Sequence, residues 1–473
     1  MKTFILVSSD DRNDYNRLIE ESVKAHTILS KEKKILLVSH LDADGLSSCA
    51  ITSILLDRIG VMHDYIAVQS VDNNIHGIIR GYDTVIFVDI GSGQMNIIRE
   101  IHDKDIIILD HHEPDDYHDY DNIVHINPYR IKASSPHSIS GAGVSYLFAL
   151  SYGNHHDLAF IAIIGAIGDV QEDKGFNGLN AIILEDAINN NNIIVEEGLK
   201  LFGSQTKTLV RLLAYNNDIR LKNTTGSPRN AALFLQDNDI NPYDHKGRER
   251  KYYELDTEEK ERLYDAIRNN REYGIGVPDI EGYNYIITGE KEGTLFRDAR
   301  EYATFLNACG RMDNSSIGVG VIKNDSISRK KALLIMREYK QELGIAINWL
   351  KEQLMTKTNI ISGKGYIIID ARGIIKHSLI GTISSIASRM SEIEDNTIII
   401  GISLLDENNL KASLRRKGNG NSDLNSIIGK IALESNSKSG GHENASGAII
   451  PKENYDAFID STIRIIQENE YRA

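Results

Sequence analysis

With 473 residues, 41% of them hydrophobic and 25% charged, the chain is long enough for about three domains with apolar cores, which excludes a mainly disordered or a small stapled protein. Its two cysteines, Cys49 and Cys309, exclude a disulfide framework or a thiolate zinc site and suit a reducing, cytoplasmic compartment. A formal net charge of −14 repels phosphate in bulk, so any nucleic acid would have to be held by a local basic track or by metal ions.

Met1 to Asp10 carries one lysine and a short apolar run, too short for a signal peptide. No stretch reaches the ~18 apolar residues of a membrane span. The nearest, Leu158–Gly168, runs straight into Asp169 and reads as a buried helix. Short Ile/Val-rich strands are expected at Ile35–Ser39, Tyr65–Gln69, Val85–Asp89 and Ile106–Asp110, separated by helical stretches such as Leu46–Arg58. That alternation is the pattern of a parallel, doubly wound α/β sheet over residues 1–195.

From Glu196 the strand signal fades. Helical patterns dominate residues 196–289, at Gln205–Tyr215, Ala231–Asn238 and Thr257–Asn270, and predict a mostly helical inserted module. Strands return at Tyr285–Thr288, Ile317–Ile322, Tyr366–Asp370, Thr397–Ile402 and Lys411–Leu414. Helices Arg297–Cys309, Leu379–Met390 and Leu424–Leu433 fall among them. Residues 290–473 are therefore expected to form a smaller C-terminal α/β domain closing a cleft.

The chemistry concentrates at strand ends. The first strand leads into His40-Leu41-Asp42-Ala43-Asp44-Gly45, the third ends at Asp89, and the fourth ends at Asp110-His111-His112. In an open parallel sheet, ligands bind beyond the carboxyl ends of the strands. A lone terminal Asp is usually a cap or a turn residue; three convergent ends, joined by Asp169, are not explained by capping. A calcium loop fails, because its bidentate glutamate would fall on Ile51. Oxygen and imidazole donors without thiolate suit Mn²⁺ or Mg²⁺, with imidazole favouring manganese. So many carboxylates exceed the needs of one catalytic zinc. Two ions about 3.5–4 Å apart, bridged by one carboxylate, would use them, and such sites hydrolyse phosphate esters.

These four ordered motifs resemble those of the DHH phosphoesterase superfamily. Gly440-Gly441-His442-Glu443-Asn444-Ala445-Ser446-Gly447 resembles the glycine-rich motif of its DHH-associated C-terminal domain. Within the superfamily the chain looks like the archaeal RecJ-like, GINS-associated nucleases, on the segment Phe296 to Arg311, on Leu201-Phe202-Gly203 and on Lys411 to Arg415. The resemblance implies that His40, Asp42 and Asp89 hold one ion and that Asp44, Asp89, His111 and Asp169 hold the other. Asp89 would bridge them, His112 would face the scissile phosphate, and Asp110 would orient a neighbouring histidine. It further implies a metal-dependent exonuclease on single-stranded DNA, acting from the 5′ end, with RNA as a further substrate and no nucleotide cofactor. GINS would be a partner, met by the helical middle module. The rivals are a short-oligonucleotide or cyclic-dinucleotide phosphodiesterase, and a replication scaffold that binds GINS with secondary nuclease activity.

In the C-terminal domain, Gly440 and Gly441 are expected to form a backbone nest for an anion, with His442 beside it. Arg372, Arg415 and Arg416, with Lys417, Lys430 and Lys438 and the loop Gly418-Asn419-Gly420, are the candidate basic track. His155-His156-Asp157 reads as a surface or capping group, Ser362-Gly363-Lys364-Gly365 as a turn, and Ser328-Arg329-Lys330-Lys331 as a chance likeness to a manganese pyrophosphatase motif.

Overall fold

The computed structural model describes residues 7–29, 33–172, 174–216, 219–272, 280–418 and 423–470. The chain divides into two compact units, the first reaching Met336 and the second beginning at Arg337, inside the helix Ser326–Thr356.

Five strands form the main sheet of the first unit: β1 (Ile35–His40), β2 (His63–Val68), β3 (Thr84–Val88), β4 (Asp105–Leu109) and β5 (Ile123–Ile126). They lie in the order β2-β1-β3-β4-β5 and every pairing is parallel. The chain turns one way from β1 to β2 and the other way from β3 onward. The switch point therefore falls between β1 and β3, where an open α/β sheet takes its ligand. β3 and β4 are Ile/Val-rich and almost wholly buried, the run expected of central parallel strands. Leu36, Val38, Val85, Phe87, Ile106 and Ile108 share one buried cluster on one face.

The helix Ala43–Ile59 is buried along nearly its whole first half. Helices Gly141–Leu150, Ala159–Gly168, Ala299–Arg311 and Ser315–Ile322 pack around it. Such closeness needs small residues: a Cβ on Gly165 would fall 2.5 Å from the Ala142 Cβ, and one on Gly168 would fall 2.5 Å from that of Ala43.

The first unit departs from the sequence reading in several places. β5 (Ile123–Ile126) is a strand beyond the four expected. Ile317–Ile322 is not a strand but part of the helix Ser315–Ile322. The β-branched run has strand propensity, yet a Cβ on Gly318 would fall 3.0 Å from Leu46 and Gly320 lies against Ser328, so packing against neighbouring helices overrides propensity. The strand signal also does not end at Glu196: β6 (Ile193–Leu199) pairs antiparallel with β7 (Glu281–Ile287). Between these strands lie the helices Leu209–Ala214, Pro228–Asp237 and Thr257–Asn270, with their own apolar cluster of Leu209, Leu213, Leu235, Leu263 and Ile267. Residues 290–336, including the helices Ala299–Arg311 and Ser315–Ile322, belong to the first unit.

The second unit holds a six-stranded sheet of β8 (Ile360–Gly363), β9 (Tyr366–Asp370), β10 (Ile398–Leu404), β11 (Asn409–Arg416), β12 (Lys438–His442) and β13 (Ala445–Pro451). Its order is β12-β13-β11-β10-β9-β8, and only β9 and β10 run parallel. Ile368, Ile400, Leu414, Ile428, Ile450 and Phe458 centre its core. No described helix is long and apolar enough to cross a membrane.

Candidate metal centre

β1, β3 and β4 end side by side, and each delivers its polar residues to the same edge. His40 closes β1; Asp42 then caps the following helix, its Oδ1 accepting the Gly45 N–H at 2.9 Å, while its Oδ2 lies 2.9 Å from His40 Nδ1. Capping and ligand geometry are thus not alternatives here. Gly45 sits in the first helical turn because a Cβ would fall 2.2 Å from the His40 carbonyl oxygen, not because the turn needs a special φ.

Asp89 follows β3 in the left-handed region at φ 57°, a conformation Asp tolerates better than most residues. It is 2% exposed, and its two oxygens face opposite ways. Oδ2 lies 3.7 Å from His40 Nδ1, and Oδ1 lies 3.4 Å from His111 Nε2. His111 Nε2 is also 3.8 Å from Asp44 Oδ2 and 3.7 Å from Asp169 Oδ2. Potential ligand atoms of His40, Asp42 and Asp89 lie within 4.8 Å of one another, as do those of Asp44, His111 and Asp169.

Asp44, Asp89, Asp110 and His111 form a buried floor, while His40, Asp42, His112 and Asp169 are 30–35% exposed at the rim. Asp44 is fixed by the start of the helix Gly141–Leu150, whose Gly141 and Ala142 N–H groups donate to it at 2.7 and 2.9 Å. Helix N-termini favour negative charge. Glycine is required here as well: a Cβ on Gly141 would meet Asp89 Oδ1 at 2.4 Å, and one on Gly165 would meet Asp44 Oδ1 at 2.5 Å.

The electrostatics are those of crowded acids. Burial, then the Asp89 charge, push the Asp44 carboxyl well above the usual carboxylate range, and burial raises Asp169 too. Burial opposes protonation of His40 and His111, but the surrounding carboxylates overcome it and hold both imidazoles well above their ordinary pKa. Cations between these groups would relieve that repulsion. Asp89 Oδ1 and His111 Nε2 are also buried without a hydrogen-bond partner, a costly state unless another species meets them. The donor set and the orphaned atoms fit divalent metal.

His112 is held separately. Its Nδ1 lies 2.8 Å from Asp110 Oδ1, which also accepts the His111 and His112 backbone N–H groups, and Asp110 Oδ2 accepts the Ser92 N–H at 2.9 Å. Burial opposes the ionised form of Asp110, but the two histidines and the Ser92 N–H keep it below the usual carboxylate range. Asn127, fully buried, donates to the His112 carbonyl at 2.8 Å and to Ser92 Oγ at 3.0 Å. Gln171 donates to Asp169 Oδ2 at 2.8 Å.

Ser92, Asn127, Gln171, Gly141 and Gly165 escape the sequence reading. The Asn127-Pro128 pair after β5 and the Gly-Ala-Gly start of a helix were the available signals. The segment Phe296 to Arg311 acquires a physical role: Asn307 Oδ1 accepts the Ala43 N–H at 3.0 Å, and a Cβ on Gly310 would fall 1.8 Å from the Leu41 carbonyl oxygen. This helix braces the loop that carries Asp42 and Asp44.

Residues 34–167 match the profile of the DHH family N-terminal domain, residues 201–281 the DHH-CID domain and residues 380–468 the DHHA1 domain. The chain belongs to the DHH phosphoesterase superfamily, with a RecJ-like fold. It is 30% identical over 463 residues to the uncharacterized protein MJ0831 of Methanocaldococcus jannaschii, covering 95% of this chain and 98% of that one. The fold is similar to exonuclease RecJ bound to manganese, at TM-score 0.56 and 15% identity, over 95% of this chain and 94% of that chain. RecJ from Thermus thermophilus in complex with Mn²⁺ matches at TM-score 0.60 and 14% identity over 95% of this chain but 55% of its own. CDC45 from Entamoeba histolytica matches at TM-score 0.59 and 13% identity, over 98% of this chain and 100% of that one.

The second unit presents its candidates differently. Gly440 and Gly441 lie in β12, an edge strand paired with β13, opposite Gly447 and Ser446. The free-loop nest expected from sequence is not formed, because strand pairing directs alternate N–H groups inward to the ladder. Gly441 has φ 140°, with Ser446 Cα 2.5 Å from where its Cβ would be. The side chain of His442, and Asn419 and Gly420, lie outside what the structure describes. Arg372 pairs with Asp370 at 2.7 and 2.8 Å and lies over the Tyr455 ring. Arg415 donates to Ser385 Oγ at 2.8 Å and to the Leu414 carbonyl at 2.6 Å, and burial lowers the Arg416 pKa. Lys417 donates to the Met390 carbonyl at 2.8 Å. Away from both regions, Arg58 binds His155 and Asp157, and Arg329 of the Ser328–Lys331 segment pairs with Glu290, which makes both motifs structural.

Proposed function

We propose that this protein is a metal-dependent nuclease acting on single-stranded DNA from the 5′ end, with RNA as a secondary substrate. The observation that carries this reading is the placement of Asp89, whose two oxygens face the His40–Asp42 pair on one side and His111 on the other. His40, Asp42 and Asp89 would hold one divalent ion, and Asp44, Asp89, His111 and Asp169 the other. When bound, Mn²⁺, or Mg²⁺ as the alternative, supplies Lewis acidity at the phosphoryl oxygens and a water of lowered pKa. The protein's own contribution is positional. Asp110 fixes His112 at Nδ1, so the imidazole keeps one orientation and carries a proton toward the scissile phosphate. Arg372, Arg415, Arg416, Gly440, Gly441 and His442 would take the strand's other phosphates, with the second unit, from Arg337, serving as the strand-binding half. The acid-rich site needs this help, because the chain's net charge is −14.

The second reading is a replication scaffold that binds GINS through the middle module. The CDC45-like fold across 98% of the chain favours it, while the full set of acidic and imidazole donors argues against a silent site. End-labelled DNA and RNA strands, single and duplex, incubated with Mn²⁺, Mg²⁺ or chelator, test the first reading. Stepwise shortening of single-stranded DNA, abolished by chelator, is expected. Its absence with either ion, alongside GINS binding, would leave the scaffold.

A further inference from the structure

β5 is hydrogen-bonded beside β4, so the chain leaves β5 at the same sheet edge that carries Asp110-His111-His112. The residues that follow are Asn127-Pro128-Tyr129. One amide links them to the centre: Asn127 Nδ2 donates to the His112 carbonyl at 2.8 Å, and its Oδ1 accepts the Tyr129 N–H at 2.8 Å. Tyr129 is thereby fixed relative to His112 by two short hydrogen bonds through a side chain that is itself fully buried.

Tyr129 is half-buried, and its hydroxyl lies 2.8 Å from Nδ1 of the exposed His137. The two rings meet edge to face, centroids 5.5 Å apart and 80° between planes. That contact occupies an edge and holds the phenol in one orientation. Glu113, directly after His112, and the exposed Tyr117 lie on the segment that leaves β4 at this same sheet edge. Glu113, Asp115 and Asp119 are exposed on the same loop. A surface of aromatic rings among carboxylates repels phosphate but accepts a neutral, flat, apolar group. At a phosphodiester-cleaving centre the group of that description is a nucleobase.

We propose that Tyr129, buttressed by His137, is the stacking platform for the base of the nucleotide whose phosphodiester is cleaved. The inference rests on the nuclease reading above and adds its base-side specificity determinant. Stacking is sequence-tolerant, so all four bases are accepted.

The test compares two oligonucleotides with Mn²⁺, an ordinary dT strand and the same strand with a tetrahydrofuran abasic residue at each end. For Tyr129→Ala the KM on the ordinary strand is expected to rise about tenfold, with kcat within about twofold. The KM on the abasic-ended strand is expected to stay that of the unsubstituted protein, and Tyr129→Phe, which keeps the ring but loses the hydroxyl bond to His137, to raise the KM on the ordinary strand clearly less than alanine does. An equal effect of Tyr129→Ala on the two strands, no effect on either, or a Tyr129→Phe defect as large as that of alanine would each overturn the platform. If the unsubstituted protein cleaves neither strand, the nuclease reading itself falls and takes the platform with it. Cleavage of both with equal KM overturns the platform alone.

Discussion

His40, Asp42, Asp44, Asp89, His111 and Asp169 converge from four points of the chain onto one sheet edge, whereas the candidate phosphate-binding residues of the second unit are spread over strands and already engaged. Asp89 Oδ1 and His111 Nε2 are buried without hydrogen-bond partners. Arg372 is instead paired with Asp370 and stacked on Tyr455, and Arg415 is tied to Ser385 and its own strand. A site that waits for ions must keep donors unsatisfied; a surface that meets a flexible strand can keep its cations internally paired until contact. The contrast teaches that the first region is preorganised, and that the second would have to exchange partners to bind a strand.

The strongest way to break this comparison is Asp89→Ala. Because one carboxylate serves both donor sets, its loss is expected to leave less than about 1% of metal-dependent turnover on single-stranded DNA. More than a few per cent retained would mean that the two sets act independently.

Gly141→Ala probes preorganisation without removing a donor. The new methyl would press on Asp89 Oδ1 at 2.4 Å, and metal affinity is expected to fall about 10–100-fold, read by Mn²⁺ titration calorimetry. An unchanged affinity would show that the Asp89 carboxylate shifts freely and that the floor is not rigid.

A third change asks whether the support behind His112 is fixed by burial. His125 lies 2.9 Å from Ser92 Oγ, and burial, then the Arg130 charge, push its pKa down to about 4. The unfolded imidazole protonates near about 6.5 while the folded one stays neutral. Stability is therefore fully present above about pH 6.5 and is lost as pH falls toward 4, by roughly 3 kcal/mol at most. His125→Gln is expected to flatten the fall in thermal midpoint between pH 7 and 5. The same slope in both proteins would reassign the acid sensitivity to other groups.

The smallest expected effect lies in the second unit. Arg415→Ala should raise the Kd for single-stranded DNA only severalfold and reduce the salt slope of binding by about one, with metal content unchanged. An unaltered slope, or loss of metal, would remove this strand from the substrate-binding half.

The candidate metal ligands are legible because their chemistry sits in short sequence runs at strand ends. His40 to Gly45 and Asp110 to His112 each follow an apolar strand, and period and punctuation mark such strands reliably. Asp42 shows the limit: as a cap it looks ordinary, and only its second oxygen, aimed at His40, distinguishes it. Ile317–Ile322 misleads because β-branched composition reports preference, not environment, and a glycine-lined seat among helices decides it. The glycine pair at 440–441 reads as a loop in sequence because its partner strand β13 lies across a hairpin that composition does not announce.

By itself, the sequence determined the order of the first four strands of the main sheet, the types of candidate donor and the helical character of the middle region. Those follow from periodicity, turn chemistry and charge, all encoded within a few residues. Only the tertiary structure decided that Asp89 stands between two donor groups and that Gly141 and Gly165 leave the carboxylates room. It also decided that Ser92 and Asn127 hold the His112 loop, and that Asn307 and Gly310 brace a turn some 260 residues earlier. Such contacts join residues far apart in sequence, and close packing, which has no local signature, selects them.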